Sequence, residues 1–165
     1  MKSLPILCMV FVAAPALLAA QATVRVEAAN LDGPRALESQ TAKAVIQDYI
    51  ESWQSLRSAF DQNRPDLLDK DFVGDAKNKL SKAIQDQSEL GIHTRYSGRS
   101  HDLKILFYSP EGLSIQLADN VEYDVAFQGP NKSWTTQHVR ARYVTVLTPS
   151  ESRWRVRVFQ ATEPE

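Results

Sequence analysis

Cysteine is the first shortage: Cys8 is the single thiol in 165 residues. It sits inside an apolar N-terminal run, so removing that run leaves a chain with no cysteine. A disulfide framework and thiolate metal sites are thereby excluded, and core burial must hold the fold. Charge of one sign is also lacking. Nineteen Lys and Arg stand against twenty Asp and Glu, a formal net charge of −1, which argues against general nucleic-acid binding. Only three histidines are present, and neither HExxH nor an equivalent metal-ligand spacing occurs. GxSxG, P-loop and GxGxxG patterns are absent, as are internal repeats and low-complexity segments. No metal site and no cofactor is therefore read from the sequence.

What is present begins with an address. Lys2 supplies a positive start, Leu4 to Ala20 is apolar, and Ala20-Gln21-Ala22 fits a small-x-small cleavage site. The run is short and carries Pro15, so a retained membrane anchor is disfavoured. The predicted layout is a signal peptide over 1–22, an extended arm over 23–38 and one domain over 39–162. Export places the protein in a periplasmic or secreted setting, with no stable membrane span after processing. N-terminal sequencing of exported protein is expected to begin at Thr23; an intact Met1 in the mature pool contradicts export.

Ala42 to Phe60 reads as a long amphipathic helix. Ala42, Val45, Ile46, Tyr49, Ile50, Trp53, Leu56 and Phe60 recur at three- and four-residue steps and share one arc of a helical wheel. Ser39 or Thr41 caps its start, and Pro65 prevents continuation. Pro65 to Phe72 reads as a short helix or turn. Ala76 to Leu90 is a third helix with Leu80, Ala83, Ile84 and Leu90 on a narrow apolar face, and Gly91 is placed where a helix ends.

From Ile92 the hydrophobic period becomes two. Strands are expected near 94–97, 103–108, 113–128, 134–147 and 154–159, joined by short connections into an antiparallel meander. The turn Pro110-Glu111-Gly112 pairs Phe107 with Ile115 and Ile105 with Leu117. The core face continues through Val121, Tyr123, Val125 and Phe127. The next corner pairs Tyr123 with Val139 and Val121 with Ala141. The last pairs Leu147 with Trp154, Thr145 with Val156 and Tyr143 with Val158.

The opposite face then carries Asp124 beside His138 and Glu122 beside Arg140. Leu106, Tyr108, Val144, Val146 and Phe159 join it, with Arg142, Arg155 and Arg157 between them. His138 and Asp124 have the chemistry of a base and its orienting carboxylate, but an outward cross-strand pair is the plainer reading. His101-Asp102 reads as a strand-end loop. Arg140, Arg142, Arg153, Arg155 and Arg157 are candidates for an anion site or an interface. Apolar residues on a nominally solvated face point to coverage by the arm or by a second copy, giving a possible homodimer.

Helix, short helix, helix and then a curved sheet resembles the cone-shaped nuclear transport factor 2-like superfamily. The residues that carry the resemblance are Ile50-Glu51-Ser52-Trp53-Gln54-Ser55-Leu56, Leu90-Gly91, Arg142-Tyr143-Val144-Thr145-Val146 and Ser152-Arg153-Trp154-Arg155-Val156. The chain is most similar to variants like the intermembrane-space domain of plastid-division proteins. SnoaL-like and ketosteroid-isomerase-like members place an Asp or His base inside the cone. Here the inward face reads as apolar apart from Tyr123, Tyr143 and Thr145, and a strand common between the second and third helices is not apparent.

The expectation is therefore an α+β cone with three N-terminal helices on a curved antiparallel sheet. Its role is an exported ligand-binding or protein-assembly module, with a cofactor-independent lyase or isomerase acting on a hydrophobic substrate as the alternative. Trp53, Tyr123, Tyr143, Trp134 and His93 are the ligand-pocket candidates. The partner is an unidentified protein or a small hydrophobic ligand, not nucleic acid.

Overall fold

Helix α1 runs over Ser39–Gln62 and buries Val45, Tyr49, Ser52, Trp53, Leu56, Ala59 and Phe60 along one stripe, as the 3.6-residue period requires. The computed structural model describes residues 22–27, 31 and 35–162. The predicted signal peptide lies outside the described residues except for Ala22. Glu38, not Ser39 or Thr41, occupies the position before the helix, and it makes no side-chain cap. Asn63 ends α1 in the left-handed conformation, φ 52°, which asparagine tolerates better than most residues. Its side-chain amide donates to the Ile92 carbonyl at 3.1 Å.

Among the described residues two α-helices form, not three. Pro65–Leu68 is a single 3₁₀ turn, since Pro65 removes one donor and the segment is too short to propagate an α-helix. Helix α2 spans Gly74–Glu89 and buries Ala76, Ile84 and Gln87. Ala83 is exposed and Leu90 is 64% exposed, so the apolar face is narrower than its spacing suggested. Gln87 instead joins the end of α1 to the sheet: its amide donates to the Phe60 carbonyl at 2.8 Å and its oxygen accepts from Thr94 at 2.7 Å.

The sheet is a five-stranded meander in chain order: β1 (Thr23–Val26), β2 (His93–Tyr108), β3 (Ile115–Gln128), β4 (Trp134–Pro149) and β5 (Trp154–Thr162). The arm adds β1 parallel to β2, with Thr23 beside Ser100 and Val26 beside Leu103. The other pairs are antiparallel. The β3–β4 register is the expected one, with Tyr123 beside Val139, Val121 beside Ala141, Asp124 beside His138 and Glu122 beside Arg140. Between the 3₁₀ turn and α2 the chain meets β5 through an isolated parallel bridge, Phe72 to Val156, closed by the Val73 N–H to the Val156 carbonyl at 2.9 Å and the Val156 N–H to the Asp71 carbonyl at 2.8 Å.

Three bulges bend this sheet around α1, and each moves side chains across it. Arg99 and Leu106 are left unpaired in β2. Phe107 therefore pairs with Gln116 and is 45% exposed, while Tyr108 pairs with Ile115 and is buried; the expected sides of these two are exchanged. In the last hairpin the turn is Ser150–Arg153, one residue later than the Leu147–Trp154 pairing requires, closed by the Ser150 N–H to the Arg153 carbonyl at 2.8 Å. Leu147 consequently pairs with Val156, not Trp154. A bulge at Arg157 then sets Thr145 beside Phe159 and Tyr143 beside Ala161. Phe159 is thereby carried from the expected outer face into the core, stacked on Tyr143 at 4.5 Å between centroids.

Candidate functional site

Where β2 and β3 cross the face of α1, alternation turns an imidazole and a carboxylate inward. Leu117, Asp119, Val121 and Tyr123 form one buried row of β3, and His101, Leu103 and Ile105 form one of β2. His101 pairs with Val121 and Leu103 with Asp119, so His101 and Asp119 are diagonal neighbours on the core face. His101 Nδ1 and Asp119 Oδ2 are 2.7 Å apart, and the Tyr49 hydroxyl of α1 donates to the same oxygen at 2.9 Å. His101 is mid-strand, and not in a loop as expected.

The group is sealed. His101 is 1% exposed, Asp119 0% and Trp53 3%. The Trp53 ring meets His101 edge-on at 5.3 Å and contacts Tyr123, Tyr143 and Phe159 at 6.0, 5.4 and 5.5 Å. Tyr123 and Tyr143 hydroxyls lie 3.3 Å apart. Burial, with the Asp119 charge second, pushes the Tyr49 phenol well above its ordinary value. Burial likewise raises Tyr96 to about 12, and raises Tyr143 further. These phenols are neutral hydrogen-bonding groups at neutral pH.

Polar demand inside the cone exceeds supply. Asp119 Oδ1, Thr145 Oγ1 and Trp53 Nε1 are sealed from solvent with no hydrogen-bond partner among the described residues, although Trp53 and Thr145 lie close enough to the Tyr49 hydroxyl to oppose the rise in its pKa. Unsatisfied buried groups of this kind are uncommon and call for a reason. Chemically, a carboxylate at His101 Nδ1 is the arrangement that orients an imidazole for work at its Nε2.

Of the sequence-derived candidates, the structure brings together Trp53, Tyr123 and Tyr143. Trp134 is half-exposed at the strand end, its ring under the Arg95 guanidinium at 4.5 Å. His93 is exposed and pairs with Gln128, far along β2 from His101. Neither joins the inward group. The arginines do not form one site. Arg140 pairs with Glu122 at 3.0 Å, Arg155 donates to the Asp69 and Phe72 carbonyls, Arg157 lies along Gly74, and Arg142 lines the outer sheet face. His138 pairs with Asp124 at 3.0 Å, exposed, on that outer face, and Arg99 donates to the other Asp124 oxygen at 2.8 Å.

Sequence reasoning missed His101 and Asp119. The signal was parity: Asp119 stands two residues from both Leu117 and Val121, the only carboxylate in that apolar row. No helix among the described residues is long and apolar enough to cross a membrane. No family model and no curated protein matches the sequence.

Solved structures do match the fold. The intermembrane space region of the chloroplast protein ARC6 superposes with TM-score 0.62 at 13% identity, covering 77% of this chain and 98% of that one. A scytalone dehydratase-like protein from Novosphingobium aromaticivorans gives 0.52 at 13% identity, covering 76% and 89%. The protein Aln2 from a Streptomyces species gives 0.50 at 10% identity, covering 78% and 94%. The chain has the nuclear transport factor 2-like fold.

Proposed function

We propose that the chain is an exported ligand-binding or protein-assembly module that recognises its partner on the outside of the cone. The observation that carries this reading is the closure of the inside: the polar group that a catalyst would present is covered by Trp53 and its ring contacts. The outer sheet face instead holds a hollow of about 420 Å³ lined by Ser100, Asp102, Asn120, Glu122, Arg140 and Arg142. Its mixed charge suits a polar protein surface better than an apolar small molecule. Both signs on one face also suit a second copy related by a two-fold axis. Half-buried Val144 and Val146, with Val158 paired to Val146, continue the face toward β5.

Light scattering of the processed protein across the micromolar range is expected to report a dimer mass. Val144→Glu with Val146→Glu is expected to give a folded monomer, because both changes stay off the core. A wild-type monomer throughout that range removes this interface.

A second reading has its own observation, the inward His101–Asp119 pair beside unpartnered Asp119 Oδ1 and Thr145 Oγ1. In it, His101 removes a carbon-bound proton from a hydrophobic carbonyl substrate admitted when Trp53 swings aside. Turnover of a cyclic ketone or β-hydroxycarbonyl compound that vanishes in both His101→Phe and Asp119→Asn, with the fold retained, favours this lyase or isomerase over the binding module. No turnover, or turnover indifferent to both changes, favours the module.

A further inference from the structure

On the flank of the cone, where α1 passes the start of β2, Arg57 has no countercharge among the described residues. Arg57 makes no ion pair or hydrogen bond with any described residue, and its Nε is sealed from solvent without a partner. Burial alone lowers its pKa, with no neighbouring carboxylate holding it up. A half-buried guanidinium without a partner is unfavourable unless something else supplies the negative charge.

The surroundings are shaped to hold it. Arg57 lies against Gly98, beside the Arg99 bulge, and a Cβ on Gly98 would stand 2.6 Å from Nη2 and 3.2 Å from Cζ. Any other residue there would push the guanidinium away. The cleft that it floors has a volume of about 230 Å³ and is lined also by Ser58, Asp61, Gln62, Arg95 and Tyr96. Asp61 does not neutralise Arg57, because it accepts from Arg95 Nε at 2.7 Å. Arg95 in turn lies over the Trp134 ring. With that pair matched, the cleft carries one net positive charge beside neutral donors.

We propose that the Arg57 cleft is a recognition site for the carboxylate of a small organic acid. The charge count favours a singly charged group over a phosphate dianion, which Asp61 would repel. The volume is below the roughly 300–1,000 Å³ of sites for larger ligands. A guanidinium presents a planar pair of donors that fits a carboxylate edge. This inference uses residues apart from the inward group and the outer hollow, so it stands whichever reading of those holds.

The test follows the Arg57 Nε–Hε signal by NMR while acetate, benzoate, inorganic phosphate or chloride is added at matched ionic strength. A saturable shift with acetate and benzoate is expected, weaker with phosphate and absent with chloride. Arg57→Gln is expected to abolish carboxylate binding, followed on neighbouring amide signals. Gly98→Ala keeps every charge but displaces the guanidinium tip, and is expected to weaken binding about tenfold or more. If Arg57→Gln fails to fold, the wild-type titration and Gly98→Ala still decide. Non-saturable shifts in all salts, tighter binding of phosphate, or unchanged affinity in either folded variant overturns the proposal. A short peptide is run with a free and with an amidated C-terminus. If the free form binds much more tightly than benzoate, the carboxylate belongs to a peptide end and the small-acid assignment fails.

Discussion

Replacing Trp53 with alanine is expected to lower the free energy of unfolding by about 3–5 kcal/mol, the range for truncating a large buried aromatic. Trp53 is central to the α1 stripe, with Tyr49 one turn before it and Leu56 and Phe60 after it. Its ring contacts reach residues from β2, β3, β4 and β5, through His101, Tyr123, Tyr143 and Phe159. Each such aromatic contact adds about 0.5–1.5 kcal/mol beyond the area buried, so one side chain couples the helix to four strands. Truncation also uncovers a polar centre. Asp119 Oδ1 and Thr145 Oγ1 lack partners among the described residues, and a water entering the vacated space would satisfy them, keeping the loss toward the lower end of the range. Trp53→Phe retains most ring contacts and removes an unpartnered Nε1–H, so its cost is expected to be below about 1.5 kcal/mol. Urea unfolding followed by circular dichroism measures both. A loss under about 1 kcal/mol for Trp53→Ala would mean that this stripe does not carry the core.

Much of this architecture was legible because one physical rule acted without interruption. The α1 stripe keeps a 3.6-residue period from Val45 to Phe60. The β3–β4 register was legible because outward Asp124, Glu122, His138 and Arg140 leave Val121, Tyr123, Val139 and Ala141 only one side to occupy. The rule failed where a strand carries one residue too many. Arg99, Leu106 and Arg157 each exchange the inward and outward rows of their strands, and none of the three is a glycine or proline that would announce a bulge. That is why Phe107 and Tyr108 changed places and why Phe159 joined Tyr143.

The inward pair was harder to see for a different reason. Asp119 obeys the alternation, but a carboxylate in an apolar row looks like a lapse in the pattern until its partners are known. Those partners, Tyr49 and His101, come from positions 70 and 18 residues away in the chain. Arg57 is similar: Gly98 accommodates its guanidinium, but nothing local in the sequence connects a helix arginine to a strand glycine 41 positions later.

The second large effect is expected at Arg153, which was grouped in the sequence with possible anion-binding arginines and proves to be an internal tie. Its Nη1 binds Asp71 Oδ1, and its Nη2 lies 2.7 Å from Glu51 Oε2 and 3.4 Å from Asp48 Oδ1. Asp71 is 1% exposed and accepts also from Ser55. The second Asp48 oxygen accepts the Trp154 N–H at 2.7 Å. One guanidinium thus joins α1, the turn before α2 and the β4–β5 corner. Arg153→Met keeps the packing volume and leaves three carboxylates facing one another, so it is expected to cost about 3–5 kcal/mol at pH 7, the range for stranding a buried charge.

The pH dependence gives the sign. Hydrogen bonding to Arg153, then to Gln47, holds the Glu51 carboxyl below its ordinary value of 4.5. A depressed folded pKa contributes stability that is present above the unfolded pKa and lost as pH falls through the folded one. Wild-type stability should therefore fall on acidification below about pH 4.5 through this group. In Arg153→Met the largest cause of the depression is gone, with Gln47 and Lys70 left beside Glu51, and protonation relieves repulsion among the three side chains. The gap between the two proteins is thus expected to be widest near neutrality and to narrow toward about pH 3. Urea unfolding at a series of pH values checks it. A gap under about 1 kcal/mol at pH 7, or one that does not narrow in acid, would show that Arg153 is held there by packing and not by its carboxylates.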